Sequence, residues 1–241
     1  MLSFINSILA YPAALVFVFR HGLTRYFLIS GLISLILGAL AVASVYYLAD
    51  DLGAQLMNWY PFQTGRDTVD KIAIAMGGVA ITGIAFFIYK YALLILIGPF
   101  MGPLSERVEA IETGLPASQQ GLGSVGYAFV RGIRLAVRNV LREIYLTLIL
   151  LLIGLIPLLT PFTTAAIFLL QSYYMGFGNT DYHLEKNLNV KQSISYCRTN
   201  RFSVMGNGVA YILILLIPVV GLIIAPVLGT VAATRQALGK T

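Results

Sequence analysis

Very few side chains in this 241-residue sequence could carry out covalent chemistry. Cys197 is the only cysteine, and His21 and His183 are the only histidines, so a disulfide within the chain is impossible and a metal site is not expected. The apolar stretches contain no paired carboxylates, no H-E-x-x-H and no G-x-S-x-G. Such ionisable groups usually mark intramembrane enzymes and proton-driven pumps. We therefore expect no catalytic residue, no metal, no cofactor and no enzymatic activity.

The residues that could bind an anion are glycines, threonines and arginines near the ends of apolar stretches. Gly22, Leu23, Thr24 and Arg25 stand just before the first of these stretches. Glycine exposes backbone N–H groups, and arginine offers a planar cationic fork that suits oxyanions. The same residues could instead anchor the chain at the membrane surface, and the residue types alone favour that anchor. The anion site stays open as the alternative.

A second basic group consists of four arginines spaced for one face of a helix. On a helical wheel they fall within an arc of about 80°. They are Arg131, Arg134, Arg138 and Arg142. One interpretation is a membrane-surface helix whose charges pair with the phosphates of anionic lipid. The other is a basic vestibule that gathers anions before a pore. We favour the first.

Two further candidate positions lie where proline interrupts apolar stretches. Thr160 is expected to cap a helix and Pro161 to occupy its first position. If that helix begins inside the membrane, its free N–H groups would favour an anion. The alternative is a capped turn with no ligand. Thr160 and Thr163 at this break, and Gly221 just after the other proline break at Ile217-Pro218, are therefore candidates for lining an anion pathway.

The composition shows what surrounds these residues. Hydrophobic residues make up 58% of the chain and charged residues 11%, and the mean hydropathy is +0.83. Disordered chains have low hydrophobicity and high charge, so disorder is excluded. Soluble domains are about 25% charged, so an ordinary soluble enzyme is nearly excluded as well. The net charge of +6 and the pI near 9.5 then indicate anionic lipid or an anionic solute as partner, not nucleic acid.

Four long apolar stretches define the predicted architecture. Residues 26–49 and 72–97 are each long enough to cross a hydrocarbon core of about 30 Å and are predicted transmembrane helices. The second is expected to end at Gly98-Pro99. Residues 1–25 are predicted to form a retained interfacial helix, and residues 104–143 amphipathic cytoplasmic helices.

The last two stretches, residues 144–180 and 202–234, are too long for one crossing. As straight helices they would reach roughly 50–55 Å, but prolines divide them into pieces that mostly cover only about 20–24 Å. Hairpins that dip into the membrane and return fit better. With two such hairpins, 14 of the 16 basic residues lie on one side, as the positive-inside rule favours. The predicted fold is an all-α integral membrane protein with two long transmembrane helices and two partially inserted (re-entrant) helical hairpins.

A glycine pattern between these elements resembles a nucleotide-binding motif. Residues 121–126 read G-x-G-x-x-G. The dinucleotide fingerprint needs a strand before it, and the sequence has none there. We interpret this segment as a flexible connector.

Several segments together resemble a known family. They are Gly22–Phe27, Gly98–Glu109, Asn200-Arg201-Phe202, Ile217-Pro218 and Ala225-Pro226 to Ala232-Ala233-Thr234. In order and spacing they resemble the CysZ sulfate permease family, the bacterial branch of the etoposide-induced membrane-protein domain. That resemblance implies an all-helical fold, oligomers and sulfate uptake for cysteine biosynthesis. It also implies a sulfate site at a Gly-Leu-Arg-Arg-Phe-like motif, in which Arg25 matches the second arginine and Thr24 replaces the first.

The resemblance and the residues together give one functional expectation and one alternative. The expected function is an inner-membrane permease or channel for sulfate or a similar oxyanion, serving sulfur assimilation. The expected protein is multi-pass in the bacterial inner (plasma) membrane, contacts anionic lipid and forms homo-oligomers. The alternative is a non-transporting membrane scaffold or lipid-interacting protein of the same fold.

Overall fold

The computed structural model describes residues 2–58, 66–116, 122–217 and 220–240. These residues form eight α-helices, and none of them lies in a strand. The helices are α1 (Leu2–Arg20), α2 (Arg25–Asn58), α3 (Arg66–Thr113), α4 (Leu122–Gly154), α5 (Thr160–Leu184), α6 (Val190–Thr199), α7 (Arg201–Leu215) and α8 (Val220–Ala237). The all-α prediction is confirmed for this part of the chain.

The chain divides into two compact units. One unit contains Met1–Leu32 and Leu94–Thr241, and the other contains Ile33–Leu93. All of the candidate anion-binding and pathway residues belong to the first unit. In that unit α7 and α8 pack against each other and against both α1 and α5, and α4 packs on α5.

Glycine permits the close crossing of α5 and α7. A Cβ atom on Gly176 would overlap the carbonyl oxygen of Val204, and a Cβ atom on Gly208 would overlap that of Ser172. Small residues at helix crossings let backbones approach, which is how helices associate when lipid gives no hydrophobic driving force between them. This crossing fixes the position of α5, which carries the candidate residues Thr160 and Thr163.

Hydrogen bonds of the buried amides Asn179 and Asn207 join α1, α5, α7 and α8. The Nδ2 of Asn179 on α5 donates to the Oδ1 of Asn207 on α7 at 2.8 Å, and the Nδ2 of Asn207 donates to the carbonyl oxygen of Gly229 on α8 at 3.1 Å. The hydroxyl of Tyr11 on α1 donates to the carbonyl oxygen of Asn207 at 2.8 Å. Buried polar groups need such partners, so these bonds specify one arrangement of the four helices.

Three helices of the described chain have the length and hydropathy that a membrane crossing needs. They are Leu2–Arg20, Arg25–Ser44 and Val220–Ala237. The first span predicted, residues 26–49, lies within α2. The placement of α1 at the membrane interface stays a prediction.

Helix α3 differs from its prediction. It continues through Pro99 and Pro103 to Thr113, whereas we expected it to end at Gly98-Pro99. The reason is tertiary packing: Ile97, Met101 and Leu104 are each at most 1% exposed and recur at the spacing of one helix face. Burial of that face compensates for the backbone donors that proline lacks.

The chain breaks near Pro157 and between α7 and α8 as predicted, and α4, α5 and α8 are longer than the expected pieces, whereas α7 is not. Helix α4 ends at Gly154 and α5 begins at Thr160, so Pro157 lies in the turn between them. Helices α7 and α8 are separated by residues 216–219, of which Pro218 and Val219 lie outside the described residues, and Pro226 is inside α8. The expected boundary between residues 143 and 144 falls within α4. The predicted connector also differs, because Leu122–Gly126 begin α4, while Gly121 lies outside the described residues.

Candidate anion-binding site

A four-residue turn joins α1 to α2 and contains Gly22, Leu23 and Thr24. Gly22 has a φ of +65°, in the left-handed region that glycine adopts without steric cost. Leu23 is buried and holds the turn against the protein. The N–H groups of Gly22 and Leu23 donate to the carbonyl oxygens of Phe19 and Val18, at 3.4 and 3.0 Å. These two donors are therefore used within the turn.

The remaining donors of the turn are at the start of α2. The N–H groups of Thr24 and Arg25 donate to no carbonyl oxygen among the described residues, as is usual for the first residues of a helix. The Thr24 side chain is exposed. A helix N-terminus carries a partial positive charge, so these two N–H groups and the Thr24 hydroxyl can bind an anion.

Arg25 is exposed beside these donors. Its guanidinium carbon lies 5.1 Å from the centre of the Tyr26 ring, and its Nη2 is 3.4 Å from the Tyr26 hydroxyl, a long and weak hydrogen bond. No carboxylate in the described part of the chain pairs with it. Arg25 is thus a cation whose hydrogen-bond donors are mostly unused.

Arg131 is the opposite case. Its residue is 3% exposed, and its Nη1 and Nη2 donate to the two carboxylate oxygens of Asp181 at 2.6 and 2.9 Å. The Nη2 also donates to the Ser193 hydroxyl at 2.7 Å and to the Leu188 carbonyl oxygen at 3.3 Å. Arg131 therefore lies inside the protein, and not on a face that meets lipid phosphates or lines a vestibule, as the two interpretations of the four arginines expected. The reason is Asp181, which directly follows the third apolar stretch. Its carboxylate forms a bidentate ion pair with Arg131.

A second carboxylate lies beside this pair. Oε2 of Glu185 is 3.9 Å from Nη1 of Arg131. Burial is the main cause that raises the pKa of the Glu185 carboxyl; Asp181 and Glu106 also raise it and Arg131 lowers it, which together bring it to about 8. Burial likewise raises the pKa of the nearby Cys197 thiol. Neither group resembles a nucleophile at neutral pH, because both are held in their neutral forms.

The other arginines of α4 remain near the surface. Arg134 and Arg142 are exposed. Arg138 is half-buried, and its Nη1 donates to the Asn139 side chain at 2.8 Å. These three are free to meet lipid or solute, as both interpretations of the basic face require.

Thr160 does not cap α5 with its side chain as predicted. The capping residue is Leu159, and no side chain bonds to the first N–H groups of the helix. The Thr160 hydroxyl instead donates to the carbonyl oxygens of Gly154 and Ile156, at 2.8 and 3.3 Å. The carbonyl oxygen of Gly154, the last residue of α4, has no partner within the helix, and it competes successfully for the hydroxyl.

Thr163 and Gly221 each lie at a tight backbone approach. The Thr163 hydroxyl donates to the Thr160 carbonyl oxygen at 3.0 Å and lies against Gly154. A Cβ atom on Gly221 would overlap the Ile214 carbonyl oxygen, and the Gly221 N–H donates to the Ile217 carbonyl oxygen at 2.9 Å. Among the described residues, no hydrogen bond joins either turn to Gly22–Arg25. A pathway role for these residues stays a prediction.

The sequence also matches a family model over residues 10–226. That family is described as sulfate transporter CysZ/etoposide-induced protein 2.4. The chain belongs to this family. A comparison with curated proteins gives no significant match. The family match covers α2 to α7, most of α1 and the first part of α8, so it includes every candidate site residue.

For this CysZ-type chain, sequence reasoning missed the residues that bind Arg131. Asp181 and Ser193 are both buried, and they lie on α5 and α6. A usable signal was present: Asp181 is the first charged residue after 37 uncharged ones, beside a basic helix that needs a counter-charge. Charges at the ends of apolar stretches pair with one another more often than they remain isolated.

Proposed function

We propose that this protein is a permease or channel for sulfate, or for a similar oxyanion, in the bacterial inner membrane. Its membership of the CysZ-type family supports a transport role. The observation that carries the proposal is that Arg25 is exposed and pairs with no carboxylate in the described part of the chain. In this proposal the protein supplies sulfate for sulfur assimilation and cysteine biosynthesis.

Binding would use the fork of Arg25 and the start of α2 together. Two guanidinium N–H groups can reach two oxygens of a tetrahedral anion, and the N–H groups of Thr24 and Arg25 can reach a third. The Thr24 hydroxyl adds a neutral donor where the family motif has an arginine. A site with one full positive charge binds a doubly charged anion loosely enough to release it, which a transport pathway needs.

The rest of the proposed pathway uses the proline turns. Two long transmembrane helices and two re-entrant hairpins would place Thr160, Thr163 and Gly221 within the bilayer. Arg134 and Arg138 would form the basic vestibule on the cytoplasmic side, while Arg131 would hold α4 against α5 and α6. Both termini would be cytoplasmic, and homo-oligomers would surround the pathway.

Labelled sulfate flux into proteoliposomes tests this proposal. We expect wild-type flux to saturate with sulfate and Arg25→Ala to lower it at least tenfold, since a charge-assisted bidentate contact is lost. Arg107→Ala is the matched control, because it removes an exposed arginine outside the proposed binding site and pathway. Equal flux from wild type and Arg25→Ala would remove Arg25 from the mechanism. Absence of flux from the wild type would reject transport.

A second candidate function is a membrane scaffold that binds anionic lipid without transporting. The exposed Arg134 and Arg142 on α4, with the exposed apolar side chains of Val130, Val137 and Leu141, favour it. This function predicts that Arg134→Glu/Arg142→Glu abolishes binding to vesicles rich in anionic lipid and leaves sulfate binding intact. Saturable sulfate flux would reject it.

A further inference from the structure

An apolar groove of about 510 Å³ opens among α4, α5, α6 and α7. That volume falls within the roughly 300–1,000 Å³ typical of small-molecule sites. The groove is lined by Leu146, Ile149, Leu150, Ala166, Leu169, Leu170, Tyr173, Arg198, Arg201 and Met205. All of these helices belong to one compact unit, so the groove is part of the packed fold.

The groove has one cationic part and one apolar part. Arg198 and Arg201 are its only charged lining residues, and both are exposed. Tyr173 lines the groove together with these two arginines. The α4 residues and the remaining α5 residues in the lining are apolar. Because α5 advances about 1.5 Å per residue, Ala166 lies about 10 Å from Tyr173 along the helix.

The corner between α6 and α7 holds the two arginines in place. Arg198 is in the last turn of α6, and Arg201 is the first residue of α7. The side chain of Asn200 between them donates to the Tyr196 carbonyl oxygen at 3.0 Å. At the other end of α6, Asn189 and Gln192 form a reciprocal cap, with bonds of 2.9 and 3.0 Å. Both ends of α6 are therefore fixed by hydrogen bonds, and the two arginines are attached to the backbone at the same corner between α6 and α7.

We propose that this groove binds one anionic phospholipid, with its phosphate between Arg198 and Arg201 and an acyl chain along α4 and α5. The charges carry the assignment: two cations without a carboxylate at one part of the groove match an anionic headgroup, and the apolar lining matches a hydrocarbon chain. A free oxyanion would leave the apolar part unused. This site differs from the α4 arginine face, and the inference does not rest on sulfate transport.

Native mass spectrometry of the full chain in mild detergent tests the site. Wild type is expected to retain one phosphatidylglycerol per chain and little phosphatidylcholine. Arg198→Ala/Arg201→Ala should weaken retention about 30-fold, because each cation near an anionic lipid contributes about fivefold. The matched control is Arg107→Ala/Lys191→Ala, which removes the same charge from exposed positions outside the groove and should retain the lipid.

A second pair of variants tests the acyl-chain part without touching the arginines. Ala166→Phe should fill the groove and exclude the lipid, while Ala165→Phe, at the exposed neighbouring position, should not. Equal retention of the two lipids, or unchanged retention in either groove variant, would overturn the proposal. So would displacement of the lipid by inorganic sulfate, which would show a plain oxyanion site. If Ala166→Phe dissociated an oligomer and left lipid retention unchanged, the groove would be covered by a second copy of the chain and not by a lipid.

Discussion

Arg25 and Arg131 are both arginines on apolar helices, yet they occupy opposite environments. Arg25 begins α2, is exposed, and has only a long bond to Tyr26. Arg131 is buried in α4 and donates to Asp181, Ser193 and the Leu188 carbonyl oxygen. The difference lies in their partners: a nearby carboxylate makes Arg131 a structural cation, and the absence of one in the described chain around Arg25 leaves its charge available for a ligand.

This difference separates two effects that an alanine substitution can have. A buried arginine that loses its charge leaves a buried carboxylate unpaired, which destabilises the fold. An exposed arginine contributes little to folding, so its removal is felt only where a ligand binds. Stability and sulfate binding should therefore respond to different arginines.

The largest effect is expected for Arg131→Ala. It leaves Asp181 buried without its counter-charge, which costs about 3–5 kcal/mol of unfolding free energy. Denaturant unfolding in detergent measures the loss, and Arg134→Ala, at an exposed position of the same helix, should change stability by less than about 0.5 kcal/mol. Adding Asp181→Asn to Arg131→Ala should recover part of the loss. Equal effects of Arg131→Ala and Arg134→Ala would show that the buried pair does not stabilise the fold.

The pH dependence of stability gives the next effect. Because folding raises the pKa of Glu185 from 4.5 to about 8, the native state holds this proton more tightly than the unfolded chain does. The resulting stabilisation is complete below about pH 4.5 and is lost as the pH rises through about 8, in total on the order of a few kcal/mol. Glu185→Gln stays neutral and should flatten the profile of melting temperature between pH 6 and pH 9.

The control for that pH profile is a carboxylate that does not face Glu185. Arg131, Asp181 and Glu106 act on the Glu185 carboxyl. Glu112→Gln removes a carboxylate outside this set, one that pairs with Arg235 at 2.6 Å, and should keep the wild-type slope. A slope that survives in Glu185→Gln would assign the pH dependence to another group.

The sequence predicted features that follow from local rules. Proline lacks a backbone donor, and the break around Pro157 is where the pattern placed it. The all-α architecture followed from long apolar stretches with few charges. The anion candidates Gly22–Arg25 were also identifiable, because a glycine turn and an arginine before a helix are local features.

The sequence analysis missed features that depend on packing between distant segments. Helix α3 passes through Pro99 because Ile97 and Met101 are buried against other helices. The arginine face was assigned to lipid because the helical wheel shows spacing and not partners, and the partner of Arg131 lies 50 residues away. Thr160 has the right residue type for a cap, but its hydroxyl donates to the carbonyl oxygen of Gly154 at the end of α4.

Gly22→Ala tests the turn that presents Arg25, with a smaller effect. No atom lies within 4 Å of the Cβ position at Gly22, so the cost comes only from the φ of +65° and should be about 1 kcal/mol. Gly132→Ala is the control: it lies in helix α4, also with nothing within 4 Å, and alanine there should be neutral or slightly stabilising. A thermal unfolding series compares the two. Equal responses would mean that the turn does not require its left-handed residue.

The smallest effect on stability is expected for Arg25→Ala, about 0.5 kcal/mol, which is the size of an exposed contact between a cation and a ring. The Arg25→Ala substitution should, however, abolish the stabilisation that sulfate gives to the protein. A ligand that binds only the native state adds about 2.7 kcal/mol at 100 times its dissociation constant, so sulfate should raise the melting temperature of the wild type and not of Arg25→Ala. Sodium chloride of equal ionic strength controls for screening. A large loss of stability in Arg25→Ala without sulfate would place Arg25 with Arg131 among the structural cations, because only a residue that the fold itself uses lowers stability when no ligand is present.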